Sequence, residues 1–293
     1  MVMERARELG KSRLPVVAVA GAEDDDVLLA VANAQKEGMV KAHLVGGAAE
    51  IEKLLGELSL SANDFHITDA ADAKSAIEKA VELCSRGECS ILMKGKVPTP
   101  DLMRAVLAPS AGLRIGKVLT HCAVLELPGY PKLLSFTDGG VLVAPDYEQK
   151  LCIVENAVRV SRLIGVDEPK VALLGVRDEA DPDFPSTVEA AEVARACVER
   201  GIARFVEGPM TLHTALTKSA RPSAVAGEPD IVVAHAIEEI NITVKALNLF
   251  RGTTFMGVIT GAKVPLSLVS RSDPPENKMA SLALAAVMAG EAK

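Results

Sequence analysis

The residues most able to do chemistry are Ser270 and Arg271, which follow an apolar, β-rich run at 254–259 and a loop that carries Lys263. The acids and prolines after Arg271 are typical of a helix N-terminus, and we expect this helix to span residues 274–288. Backbone N–H groups and the helix dipole favour negative charge there, and a guanidinium fork fits phosphate oxygens. The stretch predicts an anion site. An ordinary loop with solvated charges is the alternative.

Further candidate ligands follow other predicted strand ends. The polar side chains considered together are the cations Lys94, Lys96, Arg114, Lys263 and Arg271, the hydroxyls Thr99 and Ser270, and the acids Asp138, Glu207, Asp273 and Glu276. The loop after the strand predicted at 90–93 repeats the Lys-Val-Pro pattern found at Lys263. Ligands of open α/β sheets bind beyond the carboxyl ends of strands, so we expect both loops to face one cleft. Several cations without a metal motif suit a phosphate-bearing substrate.

Composition narrows the class of protein. The chain has 293 residues, 49% of them hydrophobic but only 3% aromatic, which predicts an aliphatic core of buried strands under helices. The net charge of −7 argues against nucleic acid or an anionic membrane as partner. The five cysteines form no CxxC pair, and the five histidines are dispersed. We therefore expect reduced thiols, a cytoplasmic protein and no metal site. No apolar run approaches the ~18 residues of a membrane span.

Apolar runs alternate with amphipathic stretches along most of the chain. This alternation, with short loops, predicts an α/β fold with a parallel or mixed sheet between helices. At this length two domains are expected. We assign residues 1–131 with 259–293 to one α/β domain that carries the phosphate-side loops, and residues 132–258 to a second α/β domain. The cleft is expected between them.

Eight ordered segments resemble one family. They are Leu92-Met-Lys-Gly-Lys-Val-Pro-Thr99, Gly112-Leu-Arg-Ile-Gly-Lys117, Thr137-Asp-Gly-Gly140, Ala144-Pro-Asp-Tyr-Glu-Gln-Lys150, Ile153-Val-Glu-Asn-Ala157, Val206-Glu-Gly-Pro209, Gly261-Ala-Lys-Val-Pro265 and Ser270-Arg-Ser-Asp-Pro-Pro-Glu-Asn-Lys278. Together they resemble the phosphotransacylases, and the phosphate butyryltransferase branch more than the phosphate acetyltransferase branch. The resemblance implies an architecture like that of isocitrate and isopropylmalate dehydrogenases, a homodimer, and the reaction acyl-CoA plus phosphate giving acyl phosphate plus CoA. It implies CoA or acyl-CoA as a substrate and no tightly bound cofactor.

The resemblance also assigns roles to residues. Ser270 and Arg271 would hold the phosphoryl group while the CoA thiolate attacks the acyl-phosphate carbonyl. Where the acetyltransferase branch has an aspartate base, this chain has Asn277, as in the butyryl branch. Asp273 and Glu276 are the nearest candidates for the base. Each of them also suits a helix N-terminus without any catalytic role.

The second predicted domain departs from the family pattern. The family's Pro-Asp-Ile-Glu-Ala-Gly-Asn segment reads His235-Ala-Ile-Glu-Glu-Ile-Asn241 here, so Asn241 is kept while Ala236 and Ile240 replace the aspartate and the glycine. His213 replaces a further family aspartate. These changes put the acyl-CoA side of the cleft in question, and the phosphate side is retained.

Three functions are consistent with these observations. The first is an active phosphate acyltransferase for a short or branched acyl group. The second is a catalytically altered or inactive relative that binds CoA or acyl phosphate as a sensor or partner subunit. The third is a metal-dependent dehydrogenase of the same architecture, although the clustered aspartates that a metal needs are lacking.

Overall fold

The computed structural model describes residues 2–115, 118–217, 222–249, 252–269 and 273–291. Strands and helices alternate along most of it. The first elements are α1 (Val2–Ser12), β1 (Val16–Ala20), α2 (Asp25–Lys36), β2 (Lys41–Gly46), α3 (Ala48–Glu57), β3 (His66–Asp69), α4 (Ala73–Ser85), β4 (Ile91–Lys94), α5 (Thr99–Leu107), β5 (Thr120–Glu126) and β6 (Leu133–Thr137). The others are α6 (Tyr147–Leu163), β7 (Lys170–Leu174), α7 (Pro185–Glu199), β8 (Phe205–Met210), α8 (Leu212–Leu216), β9 (Ile231–Val233), α9 (Ile237–Asn248), β10 (Thr254–Thr260), β11 (Leu266–Ser267) and α10 (Pro275–Glu291). The mixed α/β class predicted from the sequence is confirmed.

The contacts within the chain divide it into two compact units. Unit 1 comprises Met1–Lys117 and Met256–Lys293, and unit 2 comprises Val118–Phe255. The segment 118–131, which the sequence analysis assigned to the first domain, contains β5 and falls in unit 2. The reason is physical: β5 pairs with β6 along its whole length, from Cys122 opposite Thr137 to Glu126 opposite Leu133.

Unit 1 is built on a sheet with the strand order β3-β2-β1-β4-β11-β10. Its first five strands are parallel to their neighbours, and β10 runs antiparallel to β11. Helix α10 packs against this sheet at β4 and β11 and against helices α1 and α2. Because it is covered on nearly every side, its residues from Ala280 to Met288 are all buried. A helix that is apolar all round is what such a position requires.

Unit 2 has the strand order β5-β6-β9-β7-β8, with β5 antiparallel to β6 and the other neighbours parallel. One face is covered by α6 and α7, which pack on each other and on the strands. Helix α9 packs against β6 through Ile240 and Val244, which join Phe136 and Val232 in an apolar cluster. Among the described residues, no helix is both long and apolar enough to cross a membrane.

Candidate active site

The carboxyl edge of the unit 1 sheet holds polar groups after β1, β2 and β4. A loop follows each of these strands, and the loop after β4 is fastened to the end of β1. Gly95 donates to the Ala20 carbonyl at 2.9 Å, and Lys96 donates its N–H to the Gly21 carbonyl at 2.6 Å. A Cβ on Gly95 would lie 1.9 Å from the Gly21 oxygen, so only glycine fits this close approach. Lys94 and Lys96 are thereby held at the end of β4.

Two helix N-termini at this edge are occupied by carboxylates of the chain itself. Asp24 caps α2 by accepting the Val27 N–H at 3.0 Å. At α3, Glu23 accepts the Gly47 N–H, and Asp69 accepts the Ala48 N–H at 2.9 Å. Amide groups that already bind carboxylates cannot bind a ligand as well, and the negative charge of these carboxylates repels a second anion. The Gly46–Gly47 turn is therefore no phosphate loop.

The other two helices at this edge begin differently. Helix α5 has Pro98 at its N-cap, and no side chain of the described residues caps it. Helix α10 begins at Pro275, directly after Pro274. Lys94 is buried, with its Nζ donating to the Gly95 carbonyl at 3.2 Å, and Lys96 is exposed. Thr99 is the first residue of α5 and is half-buried. Positive charge thus coincides with an uncapped helix start at the β4–α5 loop.

The predicted phosphoryl-binding pair, Ser270 and Arg271, lies outside the described residues. The chain on either side is buried: Val269 is 5% exposed and Asp273 is 7% exposed. Ser267, at the end of β11, is paired with Met93, the residue before Lys94. The segment that contains the pair therefore connects the end of β11, beside the end of β4, to the start of α10.

The two candidates for the base, Asp273 and Glu276, lie at the start of α10 together with Asn277. Asp273 and Asn277 are buried, and Glu276 is exposed. The Asn277 N–H donates to the Pro274 carbonyl at 3.1 Å, which closes the first turn. The Asn277 carbonyl accepts the Ser281 hydroxyl at 2.8 Å, while the same hydroxyl accepts the Gly257 N–H at 2.9 Å. This linkage fastens the start of α10 to β10.

Lys278 is a functional candidate that the sequence analysis missed. It is only 2% exposed, and its Nζ donates to the Asp273 carbonyl and lies 3.3 Å from Asp26 Oδ2 at the start of α2. A cation in the first turn of a helix is opposed by the helix dipole. A lysine at this unfavourable position is the feature of the sequence that could have identified Lys278. Its partner Asp26, 252 residues away in sequence, has no such feature.

Lys263 and Arg114 lie at the other edge of the unit 1 sheet. The expectation that the Lys263 loop follows the carboxyl end of a parallel strand is wrong, because β10 is antiparallel and the hairpin β10–β11 reverses the chain. Leu266 is paired with Leu92, so Lys263 precedes β11 beside the start of β4. The Lys263 N–H donates to the Leu113 carbonyl at 2.8 Å. The backbone of Arg114 forms an isolated antiparallel β-bridge with that of Ala262. Both side chains are exposed. Their contact with a substrate stays a prediction.

Unit 2 holds the remaining three candidates: Glu207 in β8, and Asp138 and Asn241 next to one loop. Glu207 accepts the Ser223 hydroxyl at 2.7 Å and the Ala224 N–H at 2.9 Å. Asp138 directly follows β6 and is 3% exposed. Its Oδ1 accepts the N–H groups of Gly140 at 2.8 Å and Val141 at 2.9 Å, and its Oδ2 accepts that of Leu142 at 3.3 Å. The Asn241 amide donates to the Gly139 carbonyl at 3.0 Å. Both side chains therefore organise the backbone of the 138–142 loop.

The departures from the family pattern have distinct structural settings. Ile240 is 1% exposed, and a Cβ on Gly139 would lie 2.7 Å from its Cγ2, so the isoleucine fills the space beneath the loop. Ala236 is the N-cap of α9 and offers no side-chain cap. His213 lies exposed in α8. In the structure Ile240 has a packing role. None of the three residues has contacts that indicate a chemical role.

Two other kinds of chemistry find little support in the described residues. They contain no group of three or more histidine, cysteine or acidic side chains placed to hold a metal ion. All five cysteines are free. Burial raises the pKa of the Cys89 thiol to about 11 and that of Cys122 to about 12. These thiols are protonated at neutral pH and unsuited to act as nucleophiles.

Fold and site together define an α/β protein whose unit 1 carries two lysines and an uncapped helix start in the β4–α5 loop, at the carboxyl edge of its sheet. The chain belongs to the phosphate acetyl/butyryl transferase family: the model described as "Phosphate acetyl/butaryl transferase" matches residues 73–286. The resemblance found in the sequence is confirmed.

Two curated relatives and one solved structure match almost end to end. The chain is 37% identical to a phosphate acetyltransferase of Thermotoga maritima, covering 99% of this chain and 100% of the relative. It is 38% identical to a phosphate butyryltransferase of Clostridium acetobutylicum, covering 94% and 93%. A branched-chain phosphotransacylase of Enterococcus faecalis superimposes with a TM-score of 0.83 at 30% identity, covering 94% of this chain and 99% of that one.

Proposed function

We propose that this protein is a phosphate acyltransferase that transfers a short or branched acyl group reversibly between CoA and inorganic phosphate. CoA and its thioester are substrates, and no tightly bound cofactor or metal takes part. The five free cysteines suit the reducing cytoplasm, which we propose as its location. We also propose a homodimer and the isocitrate/isopropylmalate dehydrogenase architecture, both on the strength of the family resemblance.

One observation carries the proposal: at the carboxyl edge of unit 1, the described residues bring cations and an uncapped helix start together in the β4–α5 loop. The starts of α2 and α3 are occupied by Asp24, Glu23 and Asp69, whereas the β4–α5 loop presents Lys94 and Lys96. A phosphate needs several donors and compensating positive charge. The Ser270–Arg271 segment joins the same strand ends, and we assign it the phosphoryl group.

The proposed chemistry is a direct transfer. The CoA thiol loses its proton, the thiolate attacks the carbonyl carbon of the acyl phosphate, and the C–O bond breaks so that phosphate leaves with the electron pair. Cations at the phosphate neutralise charge that grows on the leaving oxygen. Buried thiols such as Cys122, whose pKa is raised to about 12 by burial, are poor candidates for an acyl-enzyme intermediate. Asp273 and Glu276 remain the proposed candidates for the base.

The acyl group is left to measurement, because the acetyl and butyryl relatives match at 37% and 38% identity. The test is CoA release from acetyl-, propionyl-, butyryl- and isobutyryl-CoA, with and without phosphate. We expect release to require phosphate, and the ranking of the four thioesters to identify the acyl group. Arg271→Ala should reduce turnover on the order of 10²-fold, the usual loss for one preorganised donor.

Matched variants test the position of the phosphate. Lys96→Ala should raise the KM for phosphate, whereas Lys41→Ala, an exposed lysine at the start of β2, should leave it unchanged. Lys263→Ala and Arg114→Ala then measure whether the opposite edge contributes at all. Equal effects of Lys96→Ala and Lys41→Ala would contradict the assigned place. CoA binding without release from any thioester would refute the acyltransferase.

A further inference from the structure

A buried lysine in unit 2 joins two other titratable side chains. Lys150, in the first turn of α6, is 3% exposed. Its Nζ contacts a carboxylate oxygen of Glu189, on α7, and lies 2.7 Å from Nδ1 of His235. The same Nδ1 lies 3.0 Å from Glu189 Oε2. None of these residues has a part in the acyl-transfer chemistry described above.

The contact between Lys150 and His235 defines which imidazole nitrogen carries the proton. A lysine ammonium has donors and no acceptor, so at 2.7 Å the Nδ1 of His235 must accept from Lys150. The ring proton of the neutral imidazole then resides on Nε2. If Nδ1 itself carried a proton and donated to Glu189, two donors would face each other across the same 2.7 Å. In this arrangement Lys150 and Glu189 hold His235 with its N–H donor at Nε2.

The His235 ring is the most exposed of the three side chains in the cluster. The His235 side chain is 45% exposed, against 4% for Lys150 and 24% for Glu189. Nδ1 faces Lys150 and Glu189, so Nε2 is the ring nitrogen that these two side chains leave for a ligand. The backbone is also held, because the His235 N–H donates to Glu239 Oε2 at 3.2 Å.

The position of His235 in the fold suits a ligand. Strand β9 is parallel to β6, with Val233 opposite Thr137, so His235 follows β9 beside the 138–142 loop that follows β6. Asn241, on the helix that starts after His235, donates to the Gly139 carbonyl in this loop. Ligands of α/β sheets bind beyond such carboxyl ends. The two substrate-binding candidates of unit 2, Asp138 and Asn241, are therefore its neighbours.

We propose that His235 binds the CoA substrate by donating a hydrogen bond from Nε2 to a carbonyl oxygen, and that Lys150 and Glu189 are its positioning residues. The acceptor is the thioester carbonyl or an amide carbonyl of the pantetheine arm. The uncharged donor suits an uncharged oxygen, because the charge of Lys150 is compensated by Glu189 and stays buried. This assignment rests on the proposed function, since it takes CoA as the substrate.

The first test needs no activity. In the ¹⁵N NMR spectrum of the full-length protein, the ring of His235 should show the tautomer protonated at Nε2. Lys150→Met removes the donor to Nδ1 and should allow the other tautomer to appear, with Glu189→Gln as a second variant if Lys150→Met unfolds. A wild-type ring protonated at Nδ1 would overturn the proposal.

Kinetics test the ligand. His235→Ala should raise the KM for acyl-CoA about tenfold, the loss of one hydrogen bond, with the KM for phosphate unchanged. His235→Gln keeps an N–H donor near the place of Nε2 and should stay within about threefold of wild type. An unchanged KM in His235→Ala would refute substrate binding.

Calorimetric titrations with CoA and with acetyl-CoA separate the two acceptors. Equal weakening of both by His235→Ala identifies a pantetheine amide, and weakening of acetyl-CoA alone identifies the thioester carbonyl. If the wild type released no CoA from any thioester, the proposed function would fail, and the same titrations would still decide the role of His235. Equal affinity of wild type and His235→Ala for both compounds would then reject it.

Discussion

Replacing Asp26 by asparagine tests whether the start of α10 depends on a buried charge pair. Lys278 is 2% exposed, and its Nζ lies 3.3 Å from Asp26 Oδ2 while it also donates to the Asp273 carbonyl. The variant keeps the shape of the Asp26 side chain and removes its charge. Lys278 would then remain buried with a neutral neighbour.

The expected cost follows from the distance and the exposure. At 3.3 Å, two unit charges attract with about 5 kcal/mol at an effective dielectric constant of 20 and about 1 kcal/mol in water. The Asp26 side chain is 47% exposed, so the pair lies nearer the aqueous limit. We expect Asp26→Asn to lower the free energy of unfolding by about 1.5 kcal/mol, or Tm by about 3–6 °C for a chain of this size.

Two further variants isolate the charge pair from other effects. Asp25→Asn removes a neighbouring, exposed acid in the first turn of α2 and controls for the helix dipole. Lys278→Met removes the buried charge at similar volume. It should cost less than Asp26→Asn, because it removes the buried charge and leaves Asp26, whose side chain is 47% exposed, in contact with solvent, whereas Asp26→Asn keeps the buried ammonium and takes away the Asp26 charge.

The measurements are urea and thermal unfolding followed by circular dichroism for each variant and for the double variant Asp26→Asn/Lys278→Met. We expect Asp26→Asn to add nothing once Lys278 is methionine. Two results would refute the reasoning: equal destabilisation by Asp25→Asn and Asp26→Asn, or full additivity in the double variant.

Two other predictions concern local packing and a helix cap. Gly139→Ala should lower the urea midpoint, because its Cβ would lie 2.7 Å from Ile240 Cγ2 and overpacking costs about 1–3 kcal/mol; combining it with Ile240→Ala should cost less than the sum of both changes, and additivity would contradict the clash. Hydrogen bonds from Ser75 lower the pKa of Asp72, so this carboxylate stabilises the fold above its unfolded pKa of about 3.9 and ceases to do so as pH falls through the lower folded value. The difference in urea midpoint between wild type and Asp72→Ala should therefore narrow in acid, and a constant difference would show that the carboxylate charge is irrelevant.

Helix α10 and strand β4 could be predicted from sequence, because prolines and acids mark the start of the helix and a short continuous apolar run marks the buried strand. Helix α10 was expected over 274–288 and spans Pro275–Glu291, and the strand expected at 90–93 is β4, Ile91–Lys94. Strand β11 was not predicted. It has two residues, Leu266 and Ser267, too few for any period to emerge, and its hydrogen bonds to β4 and β10 come from residues distant in sequence. Missing this strand caused the error about Lys263, since the reversal at the hairpin decides its edge.

The residues of the candidate site also include some that could be selected from the sequence and some that could not. Ser270 and Arg271 could be selected from the sequence because strand, cations and helix start are contiguous there. Lys150 and Lys278 could not be selected by that reasoning, although both carried a signal: each is the fourth residue of its helix, where the dipole opposes a cation. In each case a carboxylate from another element compensates the unfavourable interaction between the lysine and the helix dipole. Lys278 faces Asp26 on α2, and Lys150 faces Glu189 on α7.

The two buried lysines suggest a common principle for this chain. Each lies in the first turn of a helix that is preceded by a substrate-binding candidate: Asp138 before α6, and Arg271 before α10. Each ammonium is buried, at 3–4% exposure for Lys150 and 2% for Lys278, and pairs with a carboxylate of a neighbouring element, which fixes the helix start to that element. Side-chain entropy is lost when such a lysine is held, but a loop anchored in this way keeps its donors preorganised. A lysine at the fourth position of a helix that follows a polar strand-end loop is therefore a sequence feature worth testing as a support of the site, even when its partner is unknown.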